Sequence, residues 1–306
     1  MRLVTYEILG ERRIGAQTSG GIVDLRHAVQ SLLAGHGAPN AATEAAWRVP
    51  ADMTALLARA DNDFALFRQA LDATTAPAAR PETAVTLCAP VPRPGKVIGV
   101  GRNYGAHAAE GGLAKQEDPR LFAKFASSVI GPGAPVIRPR GIVKLDWEVE
   151  IAIVIGRTMR AVSEAEALSF VAGYTVLNDI SAREFQFDVA PPQTTFAKSH
   201  DSFTPMGPVL VTADEFGTPG DVELWCTVNG TEMQRGNTHD MIFDCATILS
   251  YISRFATLEP GDVVATGTPA GVGHFRTPPV YLKPGDVVAC SVAGIGTLEN
   301  PVQDPA

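Results

Sequence analysis

The 306-residue chain contains no run of about 18 apolar residues, so no segment of it reads as a membrane-spanning helix. It has no basic block, and its net charge is -8, which argues against a nucleic-acid partner. Its four cysteines, Cys88, Cys226, Cys245 and Cys290, show neither metal-type nor redox-type spacing. Scattered single thiols of this kind are expected to be reduced and buried, as in a cytoplasmic protein. The opening "MRLVTYEILG" lacks a long apolar run and a small-residue cleavage site, and reads as a strand rather than a signal peptide. Strands do not alternate regularly with helices, which disfavours a doubly wound parallel sheet.

What the chain has in excess is turn residues, with 29 glycines and 23 prolines. That points to many short strands. Residues 1–93 read as a smaller N-terminal α/β domain: "RLVTYEI" and "RRIGAQTSGGIVDL" as strands, then a helical stretch from Leu25 to Leu71. "TTAPAARPE" is loop material, and "APVPRPGKV" is a proline-rich entry into a second domain, residues 94–306. There "KVIGVG", "EVEIAIVIG", "GYTVLND", "GPVLVTA", "VELWCTVNG" and "GDVVATGTP" are strand candidates. Helices are expected over Ser163–Phe170 and Asp244–Phe255. The hexapeptide PGDVVA occurs at 260–265 and 284–289, each copy a turn feeding a strand. The class expected is α+β, mostly β.

"GRNYGAHAAEGG" (101–112) superficially suggests a phosphate loop, but Gly99, Gly101 and Gly105 are spaced G-x-G-x-x-x-G, not the dinucleotide fingerprint. In "LDWEVEIAIVIG" (145–156), strand alternation puts Glu148 and Glu150 on one face, followed by Ala152 and Val154. Adjacent carboxylates at the mouth of a buried strand repel each other and lose hydration, and a divalent cation relieves both costs. Spacing alone fits a solvated strand edge equally well. Asp179, ending the apolar run of "GYTVLND", adds a third hard oxygen donor, which would suit Mg²⁺ or Mn²⁺. His107 and Glu110 stand three apart, which alone is the spacing of a surface helix pair.

Five segments in order, "GRNYGAHAAE", "LDWEVEIAIVIG", "LNDISAREFQ", "FAKSHDSFTPMGP" and "ATGTPAGVG", resemble the fumarylacetoacetate hydrolase family. The resemblance runs through residues 94–302 and extends to the family's smaller N-terminal domain. It implies a mixed β-sandwich roll in which Glu148, Glu150 and Asp179 are metal ligands and His107 and Glu110 a catalytic pair. Lys198 falls on the lysine near substrate and metal. Arg183 and Gln186 fall on substrate-facing positions, and Thr268 on a contact to the substrate carboxylate. The founding eukaryotic enzymes carry a fourth acidic ligand seven residues before the histidine. Here that position is Val100, which implies the smaller bacterial branch.

The implied reaction is metal-dependent hydrolysis of a C–C bond in an acylpyruvate or 2,4-dioxo acid, in aromatic or sugar-acid catabolism. The same fold also serves decarboxylation, isomerisation of 2-hydroxy-dienoates and dehydration of sugar acids. A non-catalytic metal- or ligand-binding module is the reading from a different class. The expected partner is a small anionic 2-oxo acid, and the resemblance implies a homodimer. In an acidic chain the substrate needs local cations: Arg102, Arg183 and Lys198 are candidates, with Tyr104 beside Arg102 at the site, and Lys124 is read as a surface or interface charge. His27, His36 and His274 read as surface residues. His200 and His239 are possible site residues without a role. The helix in "AHAAE" falls below the roughly 12 residues an isolated helix needs, which suits a lid that orders over substrate and equally a permanently packed turn of helix.

Overall fold

The computed structural model describes residues 1–73, 77–112 and 116–305. Thr74, Thr75 and Ala76 of the expected loop lie outside the described residues. The fold is α+β and mostly β. The large mixed sheet runs in the order 21–24, 11–18, 2–8, 204–212, 171–178, 149–155, 263–265, 97–101 and 120–124. A second sheet holds 231–237, 223–228, 287–292, 296–303 and 136–137.

Alternation along Val149–Ile155 explains how the layers assemble. Val149, Ile151, Ile153 and Ile155 pack in one apolar cluster with Leu224, Cys290 and Leu298 of the second sheet. Ala152 and Val154 point the other way, into a cluster with Leu25, Val29, Leu56 and Phe67 of the helices. The strand is therefore buried on both faces, as its unbroken apolar run requires.

The helical stretch resolves into four short helices, Leu25–Gly35, Ala41–Arg48, Met53–Ala60 and Ala65–Asp72. Two begin at aspartate caps: Asp24 accepts from His27 N at 2.9 Å and Asp52 from Ala55 N at 2.9 Å. Helices also form at Glu164–Ala167, continued by a 3₁₀ turn through Phe170, and at Cys245–Phe255, capped by Asp244. The two PGDVVA copies turn through Gly261 and Gly285, at φ +84° and +93°. They feed strands in different sheets, so the repeat is one of turn chemistry.

The N-terminal strand Arg2–Ile8 pairs antiparallel with Thr204–Thr212, Arg2 opposite Val211 and Leu3 opposite Leu210. One sheet thus runs from residues 1–93 into the rest of the chain.

Candidate active site

Strand register assembles the acids. Val149 lies opposite Asn178 and Glu150 opposite Leu177 in an antiparallel pair. Just beyond, Asp179 N donates to Glu148 O at 2.9 Å and Glu148 N to Asn178 Oδ1 at 3.0 Å. Residues 31 apart in sequence therefore meet. Glu148, Glu150 and Asp179 are all buried, and each offers one carboxylate oxygen within 4.8 Å of the others.

Three cations surround them. Lys198 Nζ reaches Glu148 Oε2 at 2.7 Å, Asp179 Oδ2 at 2.6 Å and Ser181 Oγ at 2.8 Å. Arg183 places Nε on Asp146 Oδ2 at 2.8 Å and Nη1 on Glu148 Oε1 at 2.7 Å and Gln186 Oε1 at 2.8 Å. Its Nη2 is buried without a hydrogen-bond partner among the described residues. Lys124 is the correction: it is not a surface charge but fully buried, bonded to Asp179 Oδ1 at 2.5 Å, Phe203 O at 3.1 Å and Lys198 O.

The charges titrate accordingly. Burial alone would raise the Glu148 carboxyl, but Lys198 and Arg183 hold it well below the usual range. Burial also works against charge on Lys198, and Asp179 and Glu148 outweigh it and push its pKa up. Burial pushes Lys124 down. Glu150 differs from its two partners. Among the described residues it accepts one hydrogen bond, from Gly267 N to Oε2 at 2.7 Å, and has no ion pair. Burial, then the Asp179 and Glu148 charges, push its pKa well above the ordinary carboxylate value. A carboxylate cluster with one member lacking a counter-charge fits a hard divalent cation, and the all-oxygen donor set suits Mg²⁺ or Mn²⁺.

A cavity of about 270 Å³ opens over this cluster. Glu148, Glu150, Arg183, Lys198 and Thr268 reach it from the acid end. Arg102, Arg120 and Gln186 also line it, with Phe122, Phe187 and Phe275 as apolar wall. His107 enters from the helix Gly105–Glu110, with Nδ1 2.8 Å from Glu110 Oε1, while Glu110 Oε2 accepts from Gly271 N at 3.0 Å. Val100 is buried in the same wall. Asn103 anchors the segment below, with Nδ2 on Phe243 O at 2.9 Å and Thr266 O at 2.8 Å.

Two expected contacts look different in the structure. Tyr104 is buried outside the cavity wall; burial and then the Glu150 charge raise its pKa, and its hydroxyl has no hydrogen-bond partner among the described residues. Thr268 lines the cavity, but its hydroxyl donates to Val149 O at 2.9 Å and accepts from Gln234 Nε2 at 2.8 Å. Among the other histidines, His274 is not a surface residue: it is partly buried, stacks on Phe187 at 4.4 Å and bonds Tyr281. His200 sits among Phe185, Phe196 and Phe203, and His239 pairs with Asp221; neither lines the cavity.

Sequence reasoning gave no role to Asp146, Arg120 or Gln234. Asp146 accepts from Gly273 N at 2.7 Å and His274 N at 2.9 Å as well as from Arg183, so it ties the 271–276 loop to the cluster. The alternation that found Glu148 and Glu150 also marks Asp146, two residues earlier. A larger cavity, about 720 Å³, lies over Arg12, Arg26 and His27, apart from these acids.

Fold and site together define an α+β protein with a buried three-carboxylate centre beside a histidine–glutamate pair. The family model described as fumarylacetoacetate (FAA) hydrolase C-terminal matches residues 96–303, and the chain belongs to that family. It is 38% identical over 306 residues to the mitochondrial oxaloacetate tautomerase FAHD2A of Bos taurus, covering 99% of this chain and 91% of that protein. Among solved structures it resembles fumarylacetoacetate hydrolase from Exiguobacterium antarcticum (38% identity, TM-score 0.82, all of both chains). It also resembles maleylpyruvate hydrolase from Sphingobium sp. SYK-6, solved with manganese (II) ion and pyruvate (30% identity, TM-score 0.76, all of both chains). No helix among the described residues is long and apolar enough to cross a membrane.

Proposed function

We propose that this protein is a divalent-cation-dependent enzyme that hydrolyses the C–C bond between the carbonyls of an acylpyruvate, a 2,4-dioxo acid. The observation behind this reading is His107, held by Glu110, in one cavity with the acid cluster. Glu148, Glu150 and Asp179 would hold Mg²⁺ or Mn²⁺, which when bound supplies Lewis acidity toward the substrate oxygens.

The chain's own groups divide the remaining work. Arg183 and Gln186, bonded to each other and both lining the cavity, would receive the substrate's carboxylate end. Lys198 adds positive charge at the same end. His107 would take the proton of the attacking water at Nε2, because Nδ1 is committed to Glu110. Glu110 fixes the ring and balances the charge it gains. Water oxygen then bonds the distal carbonyl carbon and the C–C bond breaks. Its electron pair leaves with the pyruvate fragment as an enolate, which is protonated at carbon from His107. The products are a carboxylic acid and pyruvate. Tyr104 has no part in these steps.

A second reading is keto–enol interconversion of an oxaloacetate-type acid. It is favoured by the full-length match to a protein named as an oxaloacetate tautomerase, and it needs the same base without the water.

Acetylpyruvate and oxaloacetate, each assayed with Mg²⁺, Mn²⁺ or EDTA, separate the readings. Pyruvate release from acetylpyruvate that EDTA abolishes supports hydrolysis. Acceleration of oxaloacetate interconversion alone would replace it with the second reading. Neither activity would leave a ligand-binding module. We take residues 94–306 as the catalytic unit and 1–93 as accessory, supported by the extent of the family match. The homodimer rests on family resemblance. The cytoplasmic location rests on four free thiols, three of them buried, while the bovine relative is named as mitochondrial.

A further inference from the structure

We infer that Arg120, paired with Arg102, is the specificity determinant of the cavity's outer end and selects a substrate with a second carboxylate far from the 2-oxo acid group. This rests on the reading that the acid cluster binds the 2-oxo acid end.

One strand builds the whole axis of the cavity. Arg120–Lys124 is the edge strand of the large sheet, with Gly101 opposite Arg120. Side chains alternate, so Arg120, Phe122 and Lys124 share a face. Lys124 ends on Asp179, Phe122 forms wall with Lys198 Nζ 5.2 Å from its ring centre, and Arg120 stands outermost. Four residue steps of strand run from Arg120 to Lys124, roughly 13 Å along the chain.

The cations along this axis are treated differently. At the inner end every one is matched: Lys198 by Glu148 and Asp179, Lys124 by Asp179, Arg183 by Asp146 and Glu148. At the outer end Arg102 and Arg120 have no carboxylate partner and no side-chain hydrogen bond among the described residues. They are instead close enough to repel: burial, and then the charge of Arg120, weaken the hold of Arg102 on its proton. Arg102 also occupies the left-handed region, at φ +61°, which an arginine adopts only at a conformational cost. Two guanidiniums held together without a counter-charge, in a chain of net charge -8, are a site for an anion. Because the rim opens into the same cavity as the acid cluster, the anion is the far end of the substrate.

The test compares ligands that differ only at that end. Binding of 2-oxoglutarate and 2-oxopentanoate, and of the longer pair 2-oxoadipate and 2-oxohexanoate, is measured by calorimetry with Mg²⁺. Wild type, Arg120→Gln and Arg102→Gln are compared, with oxalate as the probe of the inner end. Arg120 is exposed and has no side-chain hydrogen bond among the described residues, so its replacement does not touch the core.

The expected result is that wild type binds at least one diacid about tenfold tighter than its monoacid, the scale of one charge-assisted hydrogen bond. Arg120→Gln should remove most of that gap and leave oxalate binding unchanged. Intact oxalate binding with no gap in either pair would overturn the rim proposal alone, as would a gap that survives both substitutions. Absence of Mg²⁺-dependent oxalate binding in wild type would overturn the reading of the acid cluster, and the rim proposal with it.

Discussion

Glu110 holds His107 by one carboxylate oxygen, 2.8 Å from Nδ1, and with the other accepts the backbone N–H of Gly271 at 3.0 Å. The same side chain orients the imidazole and clips its short helix to the 271–276 loop, which Asp146 ties to Arg183. Base, loop and acid cluster are thus joined in one connected network.

That connection separates two substitutions. His107→Ala removes the base and leaves the clip, so hydrolysis should fall by roughly 10² to 10⁴, the scale of general acid–base catalysis, with Mg²⁺ and oxalate affinity retained. Glu110→Ala removes both functions, so it should lower kcat and also loosen the loop. Steady-state kinetics beside Mg²⁺ and oxalate titrations check this. A His107→Ala enzyme with wild-type kcat would remove the histidine from the mechanism.

Glu150 supplies a prediction in which stability and binding move in opposite directions. It is the buried acid without a counter-ion, facing two like charges. Glu150→Gln removes that repulsion and retains an oxygen for Gly267 N, so the metal-free protein should melt higher than wild type. Mg²⁺ should then no longer raise the melting temperature. Asp179→Ala should do the reverse in the metal-free protein. It strands Lys124 and leaves Lys198 with Glu148 alone, at a cost of about 3 to 5 kcal/mol for a broken buried ion pair. Thermal denaturation with and without Mg²⁺ reads both. A Glu150→Gln protein that Mg²⁺ still stabilises fully would take Glu150 out of the ligand set.

Local sequence carried the acids of one strand and the motif histidine, because alternation and short spacing are local properties. It did not carry what depends on register. The 178–149 pairing brings Asp179 to Glu148, and nothing near Asp179 announces it. Lys124 was misread for the same reason: a lone lysine in a short strand resembles a solvated edge, and only the distant Asp179 and Phe203 carbonyl make its burial tolerable. His274 looks like a loop residue until Phe187 stacks on it. The sheet that joins residues 2–8 to 204–212 is a pairing across some 200 residues, beyond any periodicity signal.

Asp24 gives a pH prediction away from the site. It caps the helix Leu25–Gly35 and accepts from Tyr6 OH at 2.8 Å and Arg13 Nη1 at 3.2 Å. Burial works to raise its carboxyl, but the His27 amide, Tyr6 and Arg13 outweigh burial and lower it. A depressed folded pKa means its contribution is present above the unfolded value near 3.8 and is lost as pH falls through the folded one. Asp24→Asn keeps a capping oxygen but loses the charge that Arg13 and Tyr6 meet, so it should cost about 1 kcal/mol at neutral pH, the scale of one hydrogen bond, and progressively less in acid. Urea denaturation at pH 7 and in the acid range checks this. A cost that does not shrink in acid would mean the aspartate contributes through packing, not charge.

The short helix answers to a test of motion. Gly105–Glu110 has six residues, about half of what an isolated helix needs, so its order comes from its attachments. Below, Asn103 bonds the Phe243 and Thr266 carbonyls and its own carbonyl accepts from Ile242 N. Above, the one hydrogen bond from the helix to another element among the described residues is that of Gly271 N to Glu110. A segment held firmly at one end and by one hydrogen bond at the other should open as a flap hinged near Asn103. Amide exchange in the ligand-free enzyme should be fast at residues 107–111 and slow at Ile242 and Phe243, whose amides Asn103 accepts. Mg²⁺ with oxalate should slow the first group by closing the cavity over ligand. Glu110→Ala should make that group fast in both states. Slow exchange of 107–111 in the ligand-free enzyme would mean the helix is permanently docked, and access to the cavity would have to come from the Phe187–Phe275 side instead.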